Sequence, residues 1–253
     1  MDRQRSGNEN VGSDREVQRL NQVYDGYARD PGMAARWSDA NAGNRAMAAE
    51  RWQVLVAMLE EHNLLPPDGC PVLDVGCGSG IWLQQFEDLG AAPDQLWGVD
   101  LLAERIANAR TLHPTYHLNQ ANAERLEFPN EFFGLVIVST LFSSILEPSM
   151  AQAVAQEVER VLRPGGAVIW YDIRYISPRN RAVRPLGVEQ VRSLFPTLEL
   201  QIRPLTLLPP ISRRLGRATP VLYPVLARCR PFRSHLCGLL LKPAIRQENS
   251  ARS

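Results

Sequence analysis

Lysine is nearly missing from this chain: Lys242 is the only one, and arginine supplies the rest of the 28 basic residues. With 27 acids against them the formal net charge is +1, which gives no overall attraction to nucleic acid. No appended binding domain and no basic strand interleaved with aromatics is visible either, so nucleic acid is set aside as a partner. The four cysteines, Cys70, Cys77, Cys229 and Cys237, form no C-x-x-C pair, and the four histidines do not gather beside them, so the pattern of a metal site is missing. Nothing in that spacing demands an oxidising compartment. No apolar run approaches the roughly 20 residues that span a bilayer, and residues 1–15 are polar and charged, without the apolar core of a signal peptide. A soluble, cytoplasmic protein is the expectation.

What is present is enough apolar material for one sizeable core: 253 residues, 45% of them hydrophobic. The most informative run is 72–80, Val-Leu-Asp-Val-Gly-Cys-Gly-Ser-Gly. Residues 71–75 are short, apolar and β-branched and stop abruptly in glycines, as a parallel strand buried on both faces should. Gly76, Gly78 and Gly80 allow positive φ and carry no Cβ to hold a ligand away. Ile81, Trp82, Leu83, Phe86 and Leu89 then recur at helical spacing, with Gly90 as the stop. Strand, glycine turn and helix in that order are the context of a nucleoside-cofactor site.

Asp100 follows Gly80 by twenty residues and ends a second apolar run, 96–99. An acid there can accept hydrogen bonds from two ribose hydroxyls, as in dinucleotide-binding sheets. A dinucleotide fits poorly, however. Ile81 stands where its third glycine would fall, and Asp74 just before the turn would repel a pyrophosphate, whereas the amino group of a methionine moiety would suit it. The plainer alternative is that Asp74 only caps a turn that the glycines permit.

Five segments in order resemble the motifs of the class I S-adenosylmethionine-dependent methyltransferases: 72–80, 98–101, 122–128, 133–139 and 161–166. Asn122 stands where the family commonly has an acid, and Gly134 where it usually has Asp. The resemblance implies S-adenosylmethionine as cofactor. Asp74, Gly76, Cys77, Gly78 and Gly80 would form the turn against its methionine part. Asp100 would hold the ribose diol and Leu101 would pack on the adenine face. Asn122 would meet the adenine amino group, the Ala123 amide a ring nitrogen, and Ser139 and Thr140 would border the sulfonium and the substrate.

The organisation expected is a flexible tail over 1–13, an N-terminal helical cover over 14–67, the catalytic domain over 68–242 and a second flexible tail over 243–253. Within the domain, alternating patterns give a helix at 102–112, strands at 116–118 and 135–139, a helix at 150–162 and a strand at 167–172. These make an α/β, doubly wound, Rossmann-like sheet with ligands at the carboxyl ends of its strands. The resemblance adds strands at 198–203 and 235–241. It implies seven strands in the order 3-2-1-4-5-7-6 with the seventh antiparallel, and an insertion at 206–233 before the last strand. That apolar, proline-punctuated insertion reads either as a lid or as decoration.

Charge is unevenly spread. Residues 174–234 hold twelve arginines and two acids, about +10, against about −9 over the rest. Such a stretch can hold phosphates or meet an anionic surface, or be solvated surface. Peripheral membrane contact therefore stays open. Arg36-Trp37-Ser38, Asn41, Glu50-Arg51, 170–174 and 178–180 are similar to a bacterial methyltransferase subgroup associated with surface polysaccharide or natural-product gene sets. On that likeness Arg36, Asn41, Arg174 and Arg179 are candidate substrate contacts, and Tyr24 joins them as the start of a stretch, 24–50, expected to lie over the strand ends. Asp172 and Tyr171 are candidate proton acceptors, with Asp172 equally able to pin the neighbouring loop through an arginine. The first acceptor expected is a small polar molecule, a sugar or sugar-phosphate hydroxyl. A quinone or other lipid-like ring is the second, and a non-catalytic cofactor-binding module is the rival from another class.

Overall fold

The computed structural model describes residues 2–65, 69–175 and 180–244. Three helices come first: α1 (Asp2–Arg29), α2 (Pro31–Trp37) and α3 (Ala42–Glu61). The Asp30 side chain caps α2 by accepting from the Gly32 N–H at 2.8 Å, and Asn41 caps α3 by accepting from Gly43 N–H at 2.8 Å. Then follow β1 (Val72–Val75), α4 (Ile81–Asp88), β2 (Leu96–Asp100), α5 (Ala103–Leu112), β3 (His117–Gln120), β4 (Phe133–Ser139), α6 (Pro148–Val161) and β5 (Leu162–Ile173). The chain ends in α7 (Val188–Leu194), β6 (Glu199–Leu207), α8 (Pro209–Ser212), α9 (Thr219–Leu226) and β7 (Arg233–Leu241).

The strands form one sheet in the order β3-β2-β1-β4-β5-β7-β6, with β7 antiparallel to both its neighbours. The expected topology is therefore observed. β1 is buried along its whole length, as a central parallel strand must be. β6 tolerates Pro204, which has no N–H to give, because it lies at the sheet edge. One face of the sheet is covered by α6 and α7 through Val154, Val158, Phe142, Trp170 and Phe195; the other by α3, α4 and α5 through Leu55, Leu59, Trp82, Phe86 and Ile106. Because the order reverses between β1 and β4, the carboxyl ends of β1, β2 and β4 open a crevice at that switch point.

Several boundaries differ from expectation. The stretch 1–13, read as a flexible tail from its polar composition, lies in α1 from Asp2 onward. Contacts from distant parts of the chain, described below, hold this helix from Ser13 onward, and local composition does not report them. β5 starts five residues earlier than the expected 167, carrying the Pro164-Gly165-Gly166 turn inside the strand. β6 runs on to Leu207 and β7 begins at Arg233, so the insertion expected at 206–233 is confined between them. Pro66, Pro67 and residues 245–253 of the expected second tail lie outside the described residues.

Candidate active site

The glycine turn is fastened to the neighbouring strand, not merely placed near it. The Gly76 and Cys77 N–H groups both donate to Val99 O, at 2.8 and 3.0 Å, and the Gly78 N–H donates to Asp100 Oδ2 at 3.0 Å. Gly76, Gly78 and Gly80 take φ of 80°, 54° and 81°, the left-handed region that a Cβ penalises. Asp100 Oδ1 accepts from the Leu102 N–H at 2.9 Å, and Arg105 lies 3.8 Å from the same carboxylate. A carboxylate offers about four lone-pair positions, so two remain for the hydroxyls of a diol.

In front of this turn lies a cavity of about 250 Å³ lined by Gly76, Asp100, Leu101, Asn122, Ala123, Ser139 and Thr140 together with Leu20 and Tyr24 of α1. Seven of the expected cofactor contacts are therefore brought together. Asp74, Cys77, Gly78 and Gly80 are not in that lining. Cys77 is buried beneath Gly98, whose missing Cβ would stand 2.9 Å from its sulfur, and Gly80 caps α4 with the His113 ring against it. These residues build the turn from behind. Asp74 is 1% exposed and neither carboxylate oxygen has a partner. Burial, and secondly the nearby Asp100 charge, push its pKa from 3.8 to about 8.

The cavity continues into a cleft of about 1080 Å³, and Tyr24, Leu101, Ser139, Thr140 and Ser144 line both. At this junction the Tyr24 hydroxyl and Ser144 Oγ are 2.9 Å apart, and the Arg105 guanidinium sits 4.3 Å from the Tyr24 ring centre. Burial holds the Tyr24 phenol above its ordinary pKa. The cleft also carries Arg36, Arg51, Tyr171, Thr206 and His235. Thr140 and Thr206, both β-branched, have φ of 52° and 66°. That strain persists because the Thr140 N–H donates to Tyr171 O at 2.7 Å and the Thr206 N–H to Glu50 at 3.2 Å.

The remaining candidates separate. Asp172 is 1% exposed and absent from the cleft lining; its two oxygens accept from the Ser143 N–H at 3.0 Å and the Ile173 N–H at 2.7 Å. Burial raises its pKa to about 6 in spite of those bonds. It pins the loop after β4 through backbone amides and not through an arginine, which leaves it no route to a substrate proton. Tyr171 does face the cleft, but its hydroxyl is 2.9 Å from Thr206 Oγ1 and burial raises its pKa. Asn41 is spent on the α3 cap and on Arg213 O at 3.2 Å, and Arg174 stacks on Tyr175 away from the lining. Arg36 lines the cleft; Arg179 lies outside the described residues.

Sequence reasoning missed three of these groups. His235 stacks on Tyr171 with centroids 4.7 Å apart, and burial followed by the Arg51 charge lowers its pKa to about 3. Arg51 lies between the Trp82 and Tyr171 rings, at 4.6 and 4.8 Å, with a buried Nε that has no partner. Leu20 reaches the inner cavity from α1. Nothing local marks them, because they meet only when α3, β5 and β7, or α1 and the sheet, come together.

The two departures from the family pattern have local explanations. A Cβ on Gly134 would fall 1.8 Å from Cys70 Sγ and 3.0 Å from the Arg163 guanidinium, so no side chain fits there. Asn122 is held by Glu124, accepting from its N–H at 3.0 Å and donating to its carboxylate at 2.9 Å, while still lining the cavity.

Comparison with known proteins finds methyltransferases. Residues 72–166 match a family described as a methyltransferase domain. Phosphatidylethanolamine N-methyltransferase of Cereibacter sphaeroides is 36% identical over 107 residues, 40% of this chain and 49% of that protein. Ubiquinone biosynthesis O-methyltransferase of Albidiferax ferrireducens is 29% identical over 172 residues, 65% and 64% of the two chains. The chain thus spans less than two thirds of the length of these relatives. The solved PH0226 protein from Pyrococcus horikoshii OT3 shares the fold, with TM-score 0.56 at 18% identity over 86% of this chain and 98% of that one. The residues around the inner cavity fit S-adenosylmethionine, and the domain they build over residues 72–166 is similar to the methyltransferase domain of S-adenosylmethionine-dependent enzymes.

Proposed function

We propose that this protein transfers a methyl group from S-adenosylmethionine to a phenolic hydroxyl on a lipid-like ring. The observation that carries the reading is the junction: a nucleoside-sized cavity and a larger aromatic cleft meet at Tyr24, Ser139 and Thr140. The cofactor supplies an electrophilic methyl on a sulfonium. The chain's own work is then to hold an acceptor oxygen in line and to exclude water, and positioning of that kind can be worth about 7–11 kcal/mol. Asp100 and Gly76 fix one partner, while Tyr24 and Thr140 crowd the meeting point.

The choice of acceptor follows from the bases at hand. Asp172 is sequestered, His235 is held at a pKa of about 3, and the Tyr24 and Tyr171 phenols are raised. None of these can deprotonate an aliphatic hydroxyl efficiently. A phenol, with an ordinary pKa near ~10, is the acceptor that asks least of the protein. Met33, Trp37, Met47 and Tyr27 give the cleft apolar walls for a ring, and the two relatives are named for a phospholipid and a quinone pathway. A sugar hydroxyl, the first expectation from sequence, keeps one supporting observation: Asn21, Asn108 and Asn180 line the outer cleft. The non-catalytic alternative loses much of its ground, since packing against Cys70 accounts for Gly134.

The test combines binding with turnover. Calorimetry should show S-adenosylhomocysteine binding to the wild type. Asp100→Ala should weaken it at least about 100-fold, since each hydrogen bond to a charged group is worth about 1.5–3 kcal/mol. Labelled methyl from S-adenosylmethionine should enter a catechol or hydroxyquinol and not a free sugar; methylation of the sugar alone would sink the acceptor assignment.

A further inference from the structure

We propose that the segment between β6 and β7 is a docking surface for an anionic lipid bilayer, seating the mouth of the cleft against the membrane. This deepens the reading of a lipid-like acceptor and rests on it only for its purpose; the surface itself stands on its own residues.

On α9, Val221, Leu222 and Val225 fall within one 100° arc of the helix, with Thr219, Tyr223 and Ala227 on the opposite side. The opposite side is buried and packs on Met47 and Leu207. The first side faces water: Val221 is 70% exposed and Val225 58%. Leu222 on the same arc, and Phe232 in the turn before β7, are exposed as well. Phe232 is tied to the same unit, its carbonyl accepting from the Leu208 N–H at 2.8 Å and its N–H donating to Cys229 O at 2.9 Å. Nothing about folding requires these apolar groups in water, and a cluster of them marks a contact surface.

The charge around the cluster names the partner. Arg214, Arg217, Arg228 and Arg230 are all exposed and flank α9, and residues 200–247 contain no Asp or Glu. Apolar side chains ringed by arginine are the composition of an interfacial helix that sinks its apolar face among anionic headgroups. The same composition argues against a second copy, because a two-fold interface would set this arginine-rich patch against itself. The surface is also continuous with the site. Pro209, at the start of the segment, lines the cleft, and Arg213 lies 4.3 Å from the ring of Trp37, itself 58% exposed and part of the cleft wall. No described helix is long and apolar enough to cross a membrane, so contact through this segment would be peripheral.

Flotation of the full chain with vesicles of equimolar phosphatidylglycerol and phosphatidylcholine tests the proposal. The wild type should float with these vesicles at low salt, less so as salt is raised, and stay at the bottom with phosphatidylcholine alone. Each arginine near such a surface is worth about fivefold in partitioning, so Arg217→Glu with Arg228→Glu should weaken it by at least about 25-fold. Val221→Asp with Val225→Asp should abolish it. All these positions are exposed and outside the cleft, so every variant should keep wild-type affinity for S-adenosylhomocysteine, which checks folding. A wild type that binds S-adenosylhomocysteine yet does not float, equal flotation on neutral vesicles, or variants that float unchanged would each overturn the proposal. So would a valine variant that alters sedimentation mass and not flotation, which would assign the face to a second copy. Failure to methylate a phenol leaves all these outcomes standing, so the two readings fail separately.

Discussion

Asp74 is the residue whose chemistry most depends on what sits beside it. Its folded pKa of about 8 lies above the ordinary 3.8, chiefly through burial. A raised carboxyl favours the folded state fully below the unfolded value, and that advantage is lost as pH rises toward the folded one. The neutral replacement Asp74→Asn should therefore gain stability relative to the wild type as pH rises between roughly 4 and 8, and the gain should level off above that. Urea unfolding of both proteins across that range checks it; a difference independent of pH would show the acid to be paired or solvated. Asp100 was legible from sequence by its place at the end of an apolar run. The role of Asp172 was not, because one of the two amides that occupy it, that of Ser143, comes from a loop 29 residues away in the chain.

Among the elements, α1 departs most from what its composition suggested. It is pinned over the crevice by side chains at successive turns. Ser13 bonds to Glu124, Glu16 accepts from the Leu146 N–H at 2.5 Å, and Arg19 reaches Ser144 O and, at 3.3 Å, Ala182 O. Burial acts to raise the Glu16 pKa, but the hydrogen bonds from Arg19 and Leu146 outweigh it and the net shift is downward from 4.5. This docking is therefore present above that value and lost as pH falls below it. Leu20 and Tyr24 of the same helix wall the inner cavity, so loosening α1 is expected to open that cavity. Glu16→Ala should speed S-adenosylhomocysteine dissociation about tenfold, in keeping with one hydrogen bond to a charged group, while the sheet's stability stays near wild type. Stopped-flow displacement measures this; an unchanged off-rate would mean that α1 does not retain the ligand.

For the whole molecule, cofactor and fold are one equilibrium. The cavity draws on β1, β2, β4, α1 and α6, so a ligand there binds the folded state and has no counterpart in the unfolded chain. At a concentration about 100-fold above its Kd, S-adenosylhomocysteine should add about 2.7 kcal/mol and raise Tm by roughly 5–11 °C for a domain of this size. Thermal scans with and without ligand decide the point, and Asp100→Ala should lose most of the shift.

The local pattern determined the parts that depend on neighbours in the chain. Strand, glycine turn, helix and the acid at the next strand's tip could be read because period, β-branching and positive-φ glycines are properties of short segments. The tertiary structure alone decided which side chains share a space. Arg51, Tyr171 and His235 are far apart in sequence and become one cleft wall only when α3, β5 and β7 pack together. It likewise decided that Gly134 must be glycine, since Cys70 occupies the space its side chain would need. Proximity across a sheet is fixed by pairing and burial, and neither leaves a signal within any single stretch of the chain.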